Sequence, residues 1–226
     1  YSTKNIRIND LVNFKFEKVK KENKLYVNLR KSTNYKEREN IENIFKDKEW
    51  VVIKGEGYID IPEINSDAIL VKSKLDFEIE SFSVGISEMQ YLDFAFVHGI
   101  TQQFLEDESI ELTVRGRKRT PHFNYFVNGV EVKCEGVQTE VDAGYEGKDS
   151  LTLVEAKSSK IKNQIIRQLY FPYRKWLMDI NKPVRNVFFQ FEEDSKTLSF
   201  WEYGFKDYLT YDSIYLIKSE KYLLIT

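Results

Sequence analysis

The stretch from Thr139 to Lys160, TEVDAGYEGKDSLTLVEAKSSK, decides the predicted fold, because it holds two strand-like runs joined by a glycine-containing connection. The first run is Val137 to Ala143 and the second is Leu151 to Lys157, which predicts a hairpin of paired strands. Both faces of the second run begin with apolar side chains, so this strand is expected to be buried. It nevertheless ends with a carboxylate and an ammonium group, and buried charges need a partner or a bound ion.

The predicted pairing of the two runs brings acidic side chains together. An antiparallel register that puts Asp142 opposite Glu155 also puts Glu140 opposite Lys157. Two facing carboxylates repel each other, and a divalent cation between them turns that repulsion into coordination. Hard ions such as Mg²⁺ take carboxylate oxygens and keep several of their waters for substrate. The hairpin is therefore a candidate Mg²⁺ site.

Asp142, twelve intervening residues and then Glu155-Ala156-Lys157 at the end of an apolar strand resemble the motif of the PD-(D/E)XK nuclease superfamily. The sequence departs from that motif at one place, since Val141 stands where the motif has proline. The resemblance covers about residues 83 to 203. It implies a restriction-endonuclease-like fold of the α/β or α+β class, in which helices flank a central mixed β-sheet.

The same resemblance implies roles for the motif residues. Asp142 and Glu155 would bind Mg²⁺, and Lys157 would orient or activate the attacking water and steady the phosphate. The implied reaction is hydrolysis of phosphodiester bonds in DNA. A type II restriction endonuclease that cuts a specific duplex sequence is favoured over a repair or junction nuclease, because the chain is compact and has no ATP-binding or helicase-like motif. A homodimer on double-stranded DNA is then expected, since a twofold partner lets two sites address two strands.

Other functions stay open at this point. One is a catalytically silent DNA-binding or interaction module on the same fold. Another is a carboxylate-pair hydrolase that acts on glycans, in which Lys157 has no evident role and activity survives removal of metal. The simplest alternative is an exposed hairpin whose Glu155 and Lys157 are solvated surface charges.

A further acidic residue is expected from the helix that precedes the hairpin. Apolar residues at three- and four-residue spacing within residues 83–105 predict one amphipathic helix, whose N-terminus is capped by Ser87 in a capping box. Glu88 lies in the first turn, where a carboxylate also suits the helix dipole. The resemblance suggests that a helix glutamate joins the metal site. Glu88 is the candidate, and Glu106, Glu108 or no helper at all are the alternatives.

Basic and amide side chains around the motif are candidates for contact with DNA. The segment RGRKRTPH contains glycine and proline, which predicts an exposed turn. Contact of this turn with DNA phosphates is favoured over a merely solvated loop, because the segment is compact and close to the motif in sequence. After the motif, an apolar stripe from Ile161 to Trp176 predicts a helix that Pro172 kinks or ends in part. The resemblance suggests that polar residues on this helix reach the active site or the DNA backbone. The predicted DNA contacts are Arg115, Arg117, Lys118, Arg119, Gln164, Arg167 and Gln168.

The length and net charge of the chain limit the number of domains and the kinds of partner that can be expected. Its 226 residues suffice for one substantial domain or two small ones, and a formal net charge of −2 does not by itself announce a nucleic-acid-binding protein. Residues 81–226 are predicted as the catalytic core, and residues 1–80 as a lobe or arm that contacts DNA, dimerises or presents solvated charge. Within this lobe, Lys24 to Arg30 and Trp50 to Lys54 are predicted strands and Lys36 to Lys46 a helix.

The C-terminal part of the chain has strong strand patterns. Val184 to Phe191 and Thr197 to Tyr203 are predicted strands joined by a polar turn, and residues 208–225 are also strand-like. The resemblance implies that these strands extend the central sheet. Further upstream, Asn128-Gly129 predicts a type I′ hairpin turn.

The content of cysteine and histidine excludes several other chemistries. The single cysteine, Cys134, cannot form an internal disulfide and suits a reducing interior. His98 and His122 are too few for a histidine-rich zinc site and do not make a convincing Ser-His-Asp triad. No apolar stretch reaches transmembrane length and no signal-peptide pattern occurs, so a cytoplasmic protein without a membrane partner is expected.

Overall fold

The structure is a computed structural model that describes residues 16–21, 24–29, 50–53, 57–83, 87–127, 130–134 and 136–225. The strands in these ranges are β1 (Phe16–Lys21), β2 (Lys24–Leu29), β3 (Trp50–Ile53), β4 (Tyr58–Asp60), β5 (Ile69–Lys72), β6 (Glu111–Arg119), β7 (Phe123–Val127), β8 (Val130–Cys134), β9 (Gln138–Glu146), β10 (Leu151–Lys157), β11 (Asn163–Ile165), β12 (Val184–Glu192), β13 (Thr197–Phe205) and β14 (Ile214–Ile225). The α-helices are α1 (Glu88–Val97), α2 (Ile100–Leu105) and α3 (Ile166–Asp179), and Glu80–Ser83 form one 3-10 turn.

A seven-stranded mixed sheet is the centre of the fold, with the strand order β5-β14-β13-β12-β10-β9-β6. The β5/β14 and β10/β12 neighbours are parallel, and the other neighbours are antiparallel. Because α3 lies in the connection between the parallel strands β10 and β12, these elements form a β-α-β unit. The chain therefore has a mixed α+β fold with a large central sheet and few flanking helices, which is the class that the sequence predicts.

Both faces of the central sheet are covered, and this explains why its middle strands are almost wholly buried. On one face, Phe189 and Phe200 pack in the same cluster as Leu92 of α1. On the other face, Phe188 packs with Leu169 of α3 and with Trp201. Fully burying one such side chain contributes about 1.5–3 kcal/mol. The predicted strands at Val184 to Phe191 and Thr197 to Tyr203 are confirmed as β12 and β13.

The predicted helix within residues 83–105 is two helices, because the chain breaks at Gly99. This glycine has a φ of 81°, a left-handed conformation that favours glycine. A Cβ added there would lie 2.5 Å from Cε of Lys74, so this flexible side chain would have to move aside. The predicted N-cap is confirmed, since Oγ of Ser87 accepts a hydrogen bond of 3.1 Å from the backbone N–H of Gln90.

The helix predicted from Ile161 begins later, at Ile166. Residues 163–165 form β11 instead, which pairs antiparallel with β4. Gln164 therefore lies on a strand and not on a helix, because tertiary pairing with β4 overrides the helical spacing. The helix also runs through Pro172 without ending, so the expectation of a stop at this residue is wrong for the observed α3.

The basic segment that was predicted as a turn is part of strand β6. Its residues pair with the first half of β9, with Arg117 opposite Glu140 and Lys118 opposite Thr139. Gly116 has a φ of 86° and lies beside a register shift, so the strand passes through an irregularity and continues. The glycine that suggested a turn thus serves a bulge in a strand.

The described part of the N-terminal region contributes to three different sheets. Strands β1, β2 and β3 form a separate three-stranded sheet, and β2 and β3 confirm two predicted strands. Strand β4 pairs with β11, and β5 pairs with β14. The predicted boundary at residue 80 therefore does not separate the central sheet from the residues before it. The predicted helix at Lys36 to Lys46 and the Asn128-Gly129 turn lie outside the described residues, although β7 and β8 pair as the predicted hairpin.

None of the helices that the structure describes is long and apolar enough to cross a membrane.

Candidate functional site

The β9–β10 hairpin has the register that the sequence predicts. Val154 pairs with Ala143, and the next step in this register would put Glu155 opposite Asp142. Backbone pairing ends before that step. The N–H of Ala156 instead donates to Oδ2 of Asp142 at 2.8 Å, so a side-chain carboxylate replaces the strand as acceptor. The two strands thus separate where the acidic residues of the motif stand.

Lys157 brings the acidic residues of the site together. Its Nζ donates to Oε1 of Glu155 at 2.5 Å and to the carbonyl oxygen of Ala156 at 2.7 Å. The same Nζ lies 3.8 Å from Oε1 of Glu88 at the start of α1. The Glu155 side chain is 6% exposed and the Lys157 side chain 24% exposed. These two residues are therefore not the solvated surface charges of the simplest alternative.

Burial dominates the electrostatics of the acidic residues. It raises the pKa of Glu155 to about 8, with the Lys157 charge opposing the rise and Asp142 adding to it. Burial also raises the pKa of Asp142, against the N–H of Ala156 and the charge of Lys157. Burial alone would lower the pKa of Lys157, but the charge and hydrogen bond of Glu155 outweigh it, so that pKa is raised. The site holds an ammonium group that stays protonated among more carboxylates than it can neutralise.

Two glutamines form a chain of hydrogen bonds that leads to Glu155. Nε2 of Gln168 donates to Oε1 of Glu155, and Nε2 of Gln164 donates to Oε1 of Gln168 at 3.3 Å. Both were predicted as DNA contacts. Gln164 is 1% exposed and faces the interior, so the prediction that it contacts DNA is wrong. The amide of Gln168 is hydrogen-bonded to Glu155. The contact of Gln168 with Glu155 agrees with the expectation that a polar residue of this helix reaches the motif residues. Its link to Gln164 depends on how β11 and α3 pack, which no local pattern indicates.

The predicted basic contacts divide into two groups. Arg115 forms an ion pair with Asp93 of α1, and its side chain is only 29% exposed, so it is directed towards a helix. Arg117 is 68% exposed and pairs with Glu140 at 3.1 Å, and Lys118 is also exposed.

The remaining two arginines bind backbone oxygens near the motif. Arg119 is exposed and donates to the carbonyl oxygen of Gly136 at 2.8 Å. Arg167 donates to the carbonyl oxygen of Gln138 at 3.2 Å, and its guanidinium lies over the ring of Phe171. Exposed positive charge thus follows the second half of β6, beside the strand that carries Asp142.

The alternatives to Glu88 have other partners. Glu106 pairs with Lys218 at 2.5 Å, and Glu108 pairs with Lys74 at 2.6 Å. Of the three helix-region glutamates considered, Glu88 is the one with an ion-pair distance to Lys157. Its proximity agrees with the choice made from the sequence, while its role at a metal stays a prediction.

The donor chemistry of Asp142 and Glu155 fits a hard cation, because both offer carboxylate oxygens. Burial that raises the pKa of both residues also leaves them in need of compensating positive charge. Within the residues that the structure describes, however, no group of three or more His, Cys, Asp or Glu side chains is arranged to hold a metal. Glu88 accordingly faces the ammonium of Lys157 and does not complete a set of three carboxylates. The fit to a hard cation therefore rests on Asp142 and Glu155.

Comparison with known proteins gives a family and no function. No curated protein matches the chain, and no solved structure matches it. A family model described as "Domain of unknown function (DUF6997)" matches residues 53–223, which is more than half of the chain. The matched range contains the central sheet and every motif residue of the candidate site. The chain belongs to this family, the domain of unknown function DUF6997.

Proposed function

We propose that the protein is a Mg²⁺-dependent DNA endonuclease of the PD-(D/E)XK type, on a restriction-endonuclease-like fold. The observation that carries the proposal is the convergence of Asp142, Glu155 and Lys157 at the point where β9 and β10 separate. In a hairpin built only for stability, charges at the end of a buried strand would be balanced. Here one ammonium serves Glu155 and Glu88 and also faces the charge of Asp142.

Each residue of the cluster has a chemical role in this proposal. Asp142 and Glu155 hold the ion, which when bound polarises the scissile phosphate and lowers the pKa of a bound water. Lys157 orients the attacking water and donates hydrogen bonds to the negative charge that develops on the phosphoryl oxygens. Gln168 fixes the carboxylate of Glu155 through its Nε2 hydrogen bond. Glu88 holds Lys157 in place or joins the ion.

The substrate of the proposed reaction is double-stranded DNA. Exposed positive charge along β6, at Arg117, Lys118 and Arg119, runs beside the strand that carries Asp142. Phosphate contacts from such residues position a duplex without reading its sequence. A type II restriction endonuclease is the subclass that we favour over a repair or junction nuclease, and it would act as a homodimer.

A second candidate function is a catalytically silent DNA-binding or interaction module. The observation in its favour is that no group of three or more metal-binding side chains is arranged for a metal in the described parts of the chain. In that case Lys157 serves as the permanent counterion of Glu155, and the cluster has a structural role.

Incubation of the purified chain with mixed-sequence duplex DNA and Mg²⁺ separates these functions. The variants are Lys157→Ala and, as the matched control, Lys182→Ala. Lys182 makes the same type of contacts, donating to Oε1 of Glu146 at 2.6 Å and to the carbonyl oxygen of Gly147 at 2.9 Å, but at the other end of β9. A parallel incubation with a chelator removes Mg²⁺.

We expect discrete fragments from the wild type and from Lys182→Ala, and a loss of about 10²- to 10⁴-fold in the cleavage rate for Lys157→Ala, because one positioned electrostatic and proton-handling group is removed. A chelator should abolish cleavage. DNA binding without cleavage by the wild type would favour the silent module. Cleavage at random positions would retain the nuclease and reject the sequence-specific subclass.

A further inference from the structure

A cleft of ≈ 790 Å³ lies beside the motif and has no role in the proposed reaction. Its floor is formed by β12 and β13, and its walls are residues 60–64 and 160–162. This volume falls in the range of sites that bind small organic ligands, about 300–1,000 Å³.

A row of polar residues connects the cleft to Lys157. In the sheet register, Lys157 of β10 is opposite Gln190 of β12, Gln190 is opposite Ser199 of β13, and Ser199 is opposite Lys221 of β14. Residues that are directly opposite on neighbouring strands lie on the same face of a sheet. With strands about 4.8 Å apart, the row is about 14 Å long. It begins at the proposed catalytic lysine and continues into the cleft, which Gln190, Ser199 and Lys221 line.

The walls of the cleft are held to its floor by hydrogen bonds. The indole N–H of Trp201 donates to the carbonyl oxygen of Pro62 at 2.9 Å, and Nζ of Lys221 donates to that of Ile64 at 3.2 Å. On the other side, Nε2 of Gln190 donates to the carbonyl oxygen of Ser159 at 2.6 Å. The cleft is therefore formed before any ligand enters, as ligand sites usually are.

The charges around the cleft indicate what kind of ligand it accepts. Lys160 and Lys162 lie on one wall, whereas Asp60, Glu63 and Glu192 also line the cleft, and Lys160 is paired with Glu192 at 3.3 Å. With Lys221, three lysines face these three acids, so the cleft has no excess positive charge to hold a run of several phosphates. A single nucleotide fits better, because it brings one phosphate and an uncharged base.

The floor of the cleft suits the edge of a base. Gln190 and Ser199 are both buried polar residues, at 2% and 5% exposure. An amide and a hydroxyl offer donors and acceptors to the hydrogen-bonding edge of a base, and the amide offers both on one side chain. The neighbouring Lys221 carries the positive charge that a phosphate or the edge of the sugar would meet.

We propose that this cleft binds one nucleotide of the substrate strand, with its base turned out of the duplex, next to the phosphate that Lys157 contacts. The inference rests on the proposed function, because Lys157 is the residue that joins the cleft to the reacting phosphate. Turning a base out of the stack costs a few kcal/mol, which contacts to its hydrogen-bonding edge offset. The base lies against Gln190 and Ser199, and Lys221 meets the phosphate or sugar.

The test is titration calorimetry of the full chain with the four deoxynucleoside 5′-monophosphates, in the presence of a chelator so that no cleavage contributes. The double variant Ser199→Ala/Lys221→Met removes a hydroxyl and a charge from the cleft at little cost in volume. Its matched control is Ser150→Ala/Lys148→Met, in the connection before β10, at the end of that strand away from Lys157. Far-UV circular dichroism of both variants reports whether they fold.

We expect at least one monophosphate to bind to the wild type, about tenfold weaker binding in the cleft variant for the loss of one charge-assisted hydrogen bond, and unchanged binding in the control. No binding to the wild type, or equal binding to both variants, overturns the proposal. Equal affinity for inorganic phosphate also overturns it, since the base would then contribute nothing. If the cleft variant does not fold, Lys162→Gln at the exposed wall replaces it, with a smaller expected loss.

The two proposals fail in different ways. Cleavage that depends on Lys157, together with no nucleotide binding in the cleft, retains the nuclease and rejects the nucleotide site. Nucleotide binding that depends on Ser199 and Lys221, without any cleavage of DNA, retains the nucleotide site and rejects the nuclease. Lys157→Ala should slow cleavage strongly and leave binding of the monophosphates within about twofold, because Lys157 is at the end of the row and does not line the cleft.

Discussion

Two ion pairs of the central sheet, Lys157–Glu155 and Arg185–Glu202, differ in the number of carboxylates that lie within ion-pair distance of the cation. Nε and one terminal nitrogen of Arg185 donate to both oxygens of Glu202, at 2.8 and 2.9 Å. The other terminal nitrogen donates to the carbonyl oxygen of Leu105 at 3.0 Å. Arg185 thus contacts one carboxylate in a bidentate geometry, and α2 is tied to the sheet, while the charges of Glu106 and Asp107 also act on the guanidinium. The hydrogen bonds of Glu202 raise the pKa of Arg185 against the effect of burial.

At Lys157 the charges do not balance. Its ammonium contacts Glu155, lies near Glu88 and faces the charge of Asp142. Burial still raises the pKa of Glu155 to about 8, so this carboxylate remains under-compensated in the presence of its lysine. The comparison teaches that two ion pairs of similar burial can differ in how their cation is shared. One ammonium that contacts two carboxylates leaves room for a further ion or a reacting group, as the proposed function requires.

The largest expected effect on stability comes from breaking the balanced pair. Glu202→Gln leaves the guanidinium of Arg185 buried without its counterion, so we expect the free energy of unfolding to fall by about 3–5 kcal/mol. Urea unfolding at pH 7 measures the change. The control is Glu140→Gln, which breaks the exposed pair with Arg117 and should cost no more than about 1 kcal/mol. Similar losses in both variants would mean that burial does not set the strength of the pair.

A pH-dependent effect on stability is expected at the Lys157 site. The raised pKa of Glu155 means that the native state holds its proton more tightly than the unfolded state does. Wild-type stability should therefore fall as the pH rises from the ordinary pKa of 4.5 to about 8, by a few kcal/mol at most, at about 1.4 kcal/mol per pKa unit. Glu155→Gln lacks this ionisation and should lose less stability over the same interval.

Urea unfolding of wild type and Glu155→Gln at pH 5, 7 and 8.5 measures this slope. Loss of the contact with Lys157 lowers the stability of the variant at all three values, so the informative quantity is the difference in slope. Glu146→Gln is the control, since its half-exposed carboxylate also pairs with a lysine on the same hairpin. Parallel curves for wild type and Glu155→Gln would show that Glu155 is ionised throughout, as in a balanced pair.

The smallest expected effect is stabilisation by Mg²⁺, which the proposed function places at Asp142 and Glu155. At ten times the dissociation constant, a ligand that binds only the native state adds about 1.4 kcal/mol to the free energy of unfolding. We expect this gain in the wild type and in Glu202→Gln, measured against each protein's own metal-free stability, and its loss in Asp142→Asn. Thermal unfolding with Mg²⁺ and with a chelator gives the comparison. An equal gain in Asp142→Asn would place the ion elsewhere.

The local parts of the fold follow from local sequence patterns. The alternation and apolar content of β2, β3, β12 and β13 predicts these strands, and Ser87 predicts its own helix N-terminus. The register of the β9–β10 hairpin also follows, because the alternation of side chains leaves few ways to bury both strands.

Expectations failed where distant segments compete for the same residues. Gln164 has helical spacing with Gln168, but β4 recruits it into β11, more than a hundred residues away in sequence. The segment with Gly116 has the composition of a turn, and β9 recruits it into β6. Gly99 breaks a helix whose apolar pattern is continuous, and the side chain of Lys74 occupies the space beside it. Each outcome depends on a strand or side chain that is distant in sequence, so a short stretch of sequence cannot predict it.

The sequence by itself determined the mixed class of the fold, the hairpin register and the three motif residues Asp142, Glu155 and Lys157, because side-chain alternation and hydrophobicity act over a few neighbouring residues. The tertiary structure alone decided which groups surround them. It brought Glu88 to Lys157 and Gln168 to Glu155, and it aligned Gln190, Ser199 and Lys221 in one row. The physical reason is that burial and charge balance, which set the pKa of Glu155, depend on the packing of elements that are far apart in the chain.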